Sequence, residues 1–297
     1  MGMSNQSERL QSAMEYLMTY GWAILIIAVV LGALFQLGIF NASTFTPKAP
    51  PGACHVFRPN GPGTTSFINT QGICNGELPQ YVAHFSSNIY HQNYITFAGT
   101  LMPTGSGSLS STSISIWMRS TESLLYPNLV GFGGSGVGNS MTLSFYNGYA
   151  GIDCGGCGGY AGGLINDNAW HFIGISFVGG STSANIYVDG KSAGAGYVAF
   201  GRIPNLLPGT GWIGDGGNPN TYVGYLANIQ IYNTSLSSNE ITALYNEGIG
   251  GAPVKLSNLV AWWPLNGDVK DYSGNNNNGV PTGISFTSSW ESGYSAP

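Results

Sequence analysis

Residues 166–191 read NDNAWHFIGISFVGGSTSANIYVDGK, and the fold of the chain turns on them. Asn185-Ile186-Tyr187-Val188 alternates polar and apolar, the two-residue period of a strand with one wet and one packed face. Asp189-Gly190 follows at once. Asp-Gly suits the type I′ turn, whose two central residues take positive φ, so the pair predicts a hairpin. Working outward, Ile114-Ser115-Ile116-Trp117-Met118, Thr142-Leu143-Ser144-Phe145 and Ala227-Asn228-Ile229-Gln230-Ile231-Tyr232 alternate in the same way. From about Tyr81 onward, short apolar stretches are punctuated by Gly, Asn, Ser and Pro. Many short alternating runs broken by turn residues predict a mainly β, antiparallel sandwich. Only Ser238–Asn246 reads as a helix: Ile241, Leu244 and Tyr245 share a face, and Ser237 or Ser238 is placed to cap it ahead of Glu240.

Composition points the same way. Of 297 residues, 46 are Gly and only 7% are charged, against about a quarter in an ordinary globular domain. Scarce Lys and Glu beside abundant Gly, Ser, Asn, Thr and Tyr argue against a helical body. A chain that is 43% hydrophobic and 12% aromatic has the material for a packed core, which argues against disorder. Lys and Arg number 8 against 13 acids, net −5, with no basic cluster. Nucleic acid is thereby excluded as a partner, since neutralising phosphates needs grouped cations.

The N-terminus is of another kind. No charge falls between Tyr16 and Pro47, and Gly21–Phe40 reads GWAILIIAVVLGALFQLGIF. At about 1.5 Å per residue such a helix spans a hydrocarbon core of roughly 30 Å. Just upstream, Arg9-Leu10-Gln11-Ser12-Ala13-Met14-Glu15-Tyr16 resembles the processing site of archaeal type IV pilin-like proteins with class III signal peptides. That resemblance implies a leader, residues 1–10, cut by a prepilin-type peptidase between Leu10 and Gln11, with Leu10 standing where the family has a small residue. It implies that helix 11–40 stays attached, inserted in the membrane before assembly and then buried among identical subunits in an extracellular filament. Glu15 becomes the fifth mature residue. A carboxylate in apolar surroundings is costly unless paired, and a neighbour's new N-terminal ammonium is its natural partner. The plainer role for Glu15 is at the helix start, where the macrodipole favours an acid.

Pro47, Pro50, Pro51 and Gly52 end the helix and open a connector over 41–80. Asn41-Ala42-Ser43 and Asn233-Thr234-Ser235 are glycosylation sequons, making Asn41 and Asn233 candidate acceptors. Four cysteines in an exported chain favour disulfides. Three connectivities are open; locality favours Cys54–Cys74 and Cys154–Cys157. Cys154-Gly-Gly-Cys157 is not completed into a zinc set by a second CxxC or an HxxxH.

For the body, 81–297, residues 166–191 and GYLANIQIYNTSLSSNEITALYNEG, 224–248, resemble the laminin-G-like, concanavalin-A-like jelly-roll family. So does Leu259-Val260-Ala261-Trp262-Trp263-Pro264-Leu265-Asn266-Gly267, followed by Asp271-Tyr272-Ser273-Gly274-Asn275. That last segment opens such domains in the family and lies late here, which leaves two readings, a truncated second copy or one rearranged domain whose final strands fill the first-strand slots; with fewer than 40 residues after Leu259, the single domain is favoured. The resemblance implies a lectin-like head, binding surface glycans and serving adhesion. Family members often carry one structural ion, which implies a calcium with Asp271 and Asn275 as its candidate ligands here; the alternative is that both simply hold a turn. The Glu-x-Asp-x-x-Glu strand of the related glucanases is absent, no Gly-x-Ser-x-Gly elbow occurs, and the nearest acidic pair is Asp268 and Asp271. No enzyme is expected. Trp117, Trp170 and Trp262 are expected to fill core. The reading is thus a cell-surface pilin-like subunit with a jelly-roll head; its rival is a monomeric, membrane-anchored carbohydrate-binding protein.

Overall fold

The computed structural model describes residues 18 and 20–32, the strands at 55–57 and 66–68, and most of the chain from 78 onward; 88, 90–91, 99–110, 124, 134–139, 154–157, 198–209, 215–220 and 296 fall outside it. Leu10, Gln11, Glu15, Asn41, Cys54, Cys74, Cys154 and Cys157 therefore lie outside the described residues. Two compact units divide the chain, Met1–Ala49 and Pro50–Pro297.

In the first unit, helix α1 covers 20–32, with every residue exposed on the single chain, Trp22, Ile24, Leu25, Ile26 and Ile27 included. Among the described residues, no helix is long and apolar enough to cross a membrane.

The second unit starts with a small hairpin inside the connector, β1 (His55–Phe57) and β2 (Ser66–Ile68), His55 opposite Ile68. Next come β3 (Val82–Phe85), β4 (Tyr94–Ala98), β5 (Thr112–Arg119), β6 (Leu125–Gly133), β7 (Ser140–Tyr146), β8 (Tyr149–Asp153) and β9 (Gly158–Leu164). They are followed by β10 (His171–Phe177), β11 (Ser183–Val188), β12 (Lys191–Tyr197), β13 (Thr210–Ile213) and β14 (Gly224–Tyr232). Helix α2 (Ser238–Asn246) precedes β15 (Leu259–Trp263), β16 (Val280–Thr282) and β17 (Ser285–Thr287).

These strands build a two-sheet antiparallel sandwich. The first sheet runs β16-β4-β13-β6-β7-β8-β9 and the second β12-β11-β10-β5-β14-β3-β17, with β15 also on β14. At one margin Tyr197 of β12 meets Gly158 of β9. At the other, consecutive strands part company: β16 joins β4 in the first sheet and β17 joins β3 in the second. The segment after Leu259 is thus woven into this one sandwich. Its core interleaves Ile95, Phe97, Met141, Leu143, Phe145 and Ile213 of the first sheet with Ile114, Ile116, Met118, Ile173, Ile175 and Phe177 of the second.

The local signals translate directly. Asp189 and Gly190 take φ of +49° and +72°, as the type I′ hairpin requires. Asn147 and Gly148, at +49° and +82°, make a second such turn between β7 and β8. At α2, Ser237 is the cap: its Oγ accepts from Glu240 N at 3.3 Å, and Glu240 Oε2 accepts from Ser237 N at 2.8 Å.

A second core lies on the outer face of the second sheet. There Trp117, Phe172, Tyr187, Ala227 and Tyr232 pack under Ile241, Ala243 and Leu244 of α2, with Trp170, Trp262 and Trp290 beside them. The tryptophans expected in core are buried, in this outer layer rather than between the sheets.

Candidate functional site

The second sheet's outer face is covered by α2 and by the segment around Trp290, while the first sheet's outer face carries a set of half-buried aromatic side chains. Alternation decides what stands on it. Met141, Leu143 and Phe145 of β7 point into the core, so Thr142, Ser144 and Tyr146 point outward. Register then assembles a transverse row from six strands: Asp153, Thr142, Gly131, Trp212, Thr96 and Val280. One pleat along lie Tyr160, Gly151, Ser144 and Asn128, and beyond them Tyr146. Asn128, Thr142 and Ser144 form a buried polar floor; Trp212, Tyr126, Tyr146, Tyr160 and Asp153 rise from it half-buried.

Three tyrosines make an aromatic corner. Ring centroids are 4.9 Å apart for Tyr126–Tyr146, 5.8 Å for Tyr126–Tyr160 and 5.6 Å for Tyr146–Tyr160. Tyr126 reaches it at a cost. Register slips between Leu125 and Asn128 and again before Val130, and Tyr126 sits at φ +62°, a left-handed conformation that bulky side chains avoid. Bulges of this kind re-aim a side chain, and here the ring is swung onto Tyr146 and Tyr160. Tyr160 lies across Gly151, where any side chain would collide with its ring and with Gly159 O. Its hydroxyl is 3.2 Å from Ser144 Oγ. Burial pushes the Tyr160 pKa far up and the Asp153 charge adds to this, against the Ser144 bond, so it stays a neutral phenol.

Flat rings standing around buried hydroxyl and amide groups suit a flat, hydroxylated ligand. Among the described residues, Asp153 is the one acid on the strands of this face.

The residues singled out from sequence lie elsewhere. Asp271 is a turn clasp: Oδ1 accepts from Trp262 N and Ser273 N, both at 2.9 Å, and Oδ2 from Ser273 Oγ and Asn277 N, both at 2.8 Å. Asn275 Nδ2 donates to Leu259 O and Val260 O at 3.0 Å. Both carboxylate oxygens of Asp271 are thus spoken for by N–H and O–H donors, the geometry of a held turn. Among the described residues, no group of three or more His, Cys, Asp or Glu side chains is arranged to hold a metal. Asn233 is exposed at the end of β14, its Oδ1 accepting from Asn258 Nδ2 at 3.0 Å.

One cluster escaped the sequence reading. His171 is held between two carboxylates, Nδ1 to Asp189 Oδ2 at 2.9 Å and Nε2 to Asp167 Oδ1 at 3.0 Å. Burial alone would lower its pKa; the bonds and charges of Asp189 and Asp167 outweigh that and raise it. Asp189 Oδ1 also accepts from Phe172 N at 2.9 Å, and Gly190 O from Thr242 Oγ1 at 2.8 Å, so the clamp fastens the hairpin tip beside α2.

With this geometry in hand, known proteins can be set beside the chain. The profile of the laminin-G type described as the concanavalin A-like lectin/glucanases superfamily matches residues 91–242. A Bacteroides ovatus protein described as carbohydrate binding is 17% identical with a TM-score of 0.54, covering 75% of this chain and 66% of its own, so the chain spans just under two thirds of it. A heptameric SAP-like pentraxin from Limulus polyphemus is 12% identical with a TM-score of 0.49 over 72% of this chain and 96% of the pentraxin. A CBM40 of the Ruminococcus gnavus IT-sialidase, bound to α2,3-sialyllactose, is 16% identical with a TM-score of 0.40 over 46% and 83%.

Proposed function

The chain belongs to the concanavalin A-like lectin/glucanases superfamily, and from that premise we propose that it is a pilin-like surface subunit whose jelly-roll head binds carbohydrate. The observation that carries the head's role is the outer face of the first sheet, where Trp212 and the tyrosine corner stand over a polar floor. The Bacteroides ovatus protein, described as carbohydrate binding, supports the reading through the shared fold. The face acts by binding alone, because a glycosidase needs two carboxylates flanking the bond, about 5–9.5 Å apart.

The stem's role rests on α1 and its flanks. Exposed apolar side chains on all sides of a helix demand cover from lipid or from other apolar helices. Residues 9–16 carry the pilin-type processing pattern, so the cover in the finished filament is identical stems, and Glu15 sets their axial register. Calcium is not needed by this reading; a single structural ion at the Asp271 turn would compete with the donors that hold it.

Mass spectrometry of protein from native envelopes tests the stem: Gln11 as first residue is expected, and intact Met1 on dispersed molecules returns the chain to a monomeric anchored lectin. A glycan array probed with the full chain and with Trp212→Ala tests the head. Equal binding by both would show that this face is not the site.

A further inference from the structure

His171 carries a geometry that only one protonation state satisfies. Both ring nitrogens face a carboxylate, Nδ1 with Asp189 Oδ2 at 2.9 Å and Nε2 with Asp167 Oδ1 at 3.0 Å. A carboxylate only accepts, so both nitrogens must donate, and an imidazole does that only as the cation. A neutral ring has one N–H and sets a lone pair against the other acid. The two acids are not held equally. Asp189 Oδ1 also accepts from Phe172 N, and Asp189 N donates to Phe172 O, each at 2.9 Å. Asp167 is 53% exposed against 36% for Asp189, and its Oδ1 accepts in addition from Ala169 N at 2.8 Å, two residues on. Loss of the proton therefore keeps the Asp189 bond and gives Asp167 up to water.

What rests on the Asp167 loop is the end of the chain. The backbone of Asn168 and Ala169 lies against Gly293, with no room there for a Cβ, and Trp170 N donates to Gly293 O at 2.9 Å. Trp170 Nε1 donates to Trp290 O, and Trp290 Nε1 to Pro79 O, both at 2.9 Å. Arg119 ties the same two segments, Nε to Asn168 O at 2.9 Å and Nη2 to Ser292 Oγ at 3.4 Å. Residues 288–295 are thus a strap across the outer layer of the second sheet, with buried Trp290 as its anchor. The loop 167–170 is its seat.

We propose that His171 is a pH-operated latch for this strap: the imidazolium grips Asp167 and so holds the loop on which residues 288–295 are seated, and the neutral ring lets that seat loosen. The surroundings leave the switching to this one ring. From α2, Tyr245 stands near Asp189, and from the strap comes Tyr294; burial raises both phenols, so they stay neutral. From β5, Arg119 is spent on Asn168, Ser292 and the Tyr225 ring. Lys191 at the start of β12 and Glu291 on the strap are exposed. Burial would lower the His171 pKa, and the bonds and charges of Asp189 and Asp167 override it. The latch is closed in mild acid and is released as pH rises through a value above the ordinary 6.5.

The test is hydrogen exchange of the full chain in detergent, from about pH 5.5 to about pH 9, corrected for the intrinsic pH dependence of exchange. It is read over the seat and the strap, where the amides of Asn168, Trp170 and Tyr294 are hydrogen-bonded. These amides are expected to be less protected than those of β5 and β10 at every pH, the mark of an opening of their own. Across the range they should lose about fivefold in protection, the size of one partly exposed charged pair. His171→Ala is expected to abolish that dependence, and Asp167→Asn to cut it to about twofold or less. Titration of the His171 ring by NMR reads the same proton, and its pKa should fall in Asp167→Asn. Flat protection in the wild type, or a fivefold fall that survives in both variants, overturns the latch. Protection equal to that of β5 and β10 overturns it too, because the strap would then open only when the whole head unfolds. A His171 pKa that Asp167→Asn leaves unchanged removes the grip on which the proposal stands.

Discussion

Removing the Asp271 carboxylate is the sharpest way to ask what the late turn of the head is for. Four donors converge on it, three from backbone and one from Ser273, at 2.8–2.9 Å. Hydrogen bonds to a charged acceptor contribute about 1.5–3 kcal/mol each, but Asp271 is half-buried and water takes over part of the set, so Asp271→Ala costs on the order of 3 kcal/mol. For a domain of this size about 2–4 °C of Tm goes with each kcal/mol, which predicts a fall of roughly 6–12 °C. Asp271→Asn keeps the shape but turns an N–H against the converging donors, so it falls nearly as far. Thermal unfolding by circular dichroism, with wild type and both variants in EDTA and in millimolar calcium, reads the outcome. The clasp predicts a wild type indifferent to EDTA and variants that calcium does not rescue. A wild-type Tm lowered by EDTA to the level of Asp271→Ala would mean that the carboxylate serves an ion, and the hydrogen-bond reasoning would be refuted.

Other expectations follow from single positions. Tyr126→Gly is expected to be at least as stable as Tyr126→Ala, reversing the usual order in a strand, because φ of +62° costs an L-residue about 1–2 kcal/mol and glycine nothing; a higher Tm for the alanine variant sinks the strain argument. Gly151→Ala must displace the Tyr160 ring or the β9 backbone, so a loss of about 1–3 kcal/mol and weaker glycan binding should appear together. His171 gives a pH signature. Its folded pKa lies above the ordinary 6.5, so its contribution is full below that value and is lost as pH rises through the folded pKa. Asp167, driven the other way by its bonds from Ala169 and His171 despite its desolvation, contributes above its ordinary 3.8 and loses this in acid. Wild-type Tm should therefore decline by about 1–3 °C as pH rises from 6.5 through the folded pKa of His171, a modest figure for partly solvated pairs, and His171→Ala should flatten that decline.

What could be read from the chain in advance was whatever short-range chemistry decides. The Asp189-Gly190 turn and the Ser237–Glu240 cap announce themselves within a few residues, because positive φ and an N-terminal acceptor are local demands. The sandwich class followed from alternation. The proposed binding face did not, since Trp212, Tyr126 and Tyr160 belong to β13, β6 and β9 and share a face only through register. No spacing in the sequence encodes that row. Tyr126 is hidden further by its bulge, which breaks the alternation that would have assigned its side. His171 was visible as a residue, yet its partners Asp167 and Asp189 become significant only once β10 and β11 close their hairpin. Asp271 admitted two readings from its turn-rich surroundings, and the donors aimed at it favour the turn.

The way the sandwich closes at its far margin also sets a timetable. Strands β3 and β4 are early in the chain, but their outer neighbours β17 and β16 come from residues 280–287, and Trp290 Nε1 bonds Pro79 O across 211 positions. At about 5–20 residues per second, a nascent head waits on the order of 10–40 s with both of those edges bare. During that interval it is a candidate for wrong pairing with a neighbouring copy, and it must be kept apart from such copies until residue 290 has emerged.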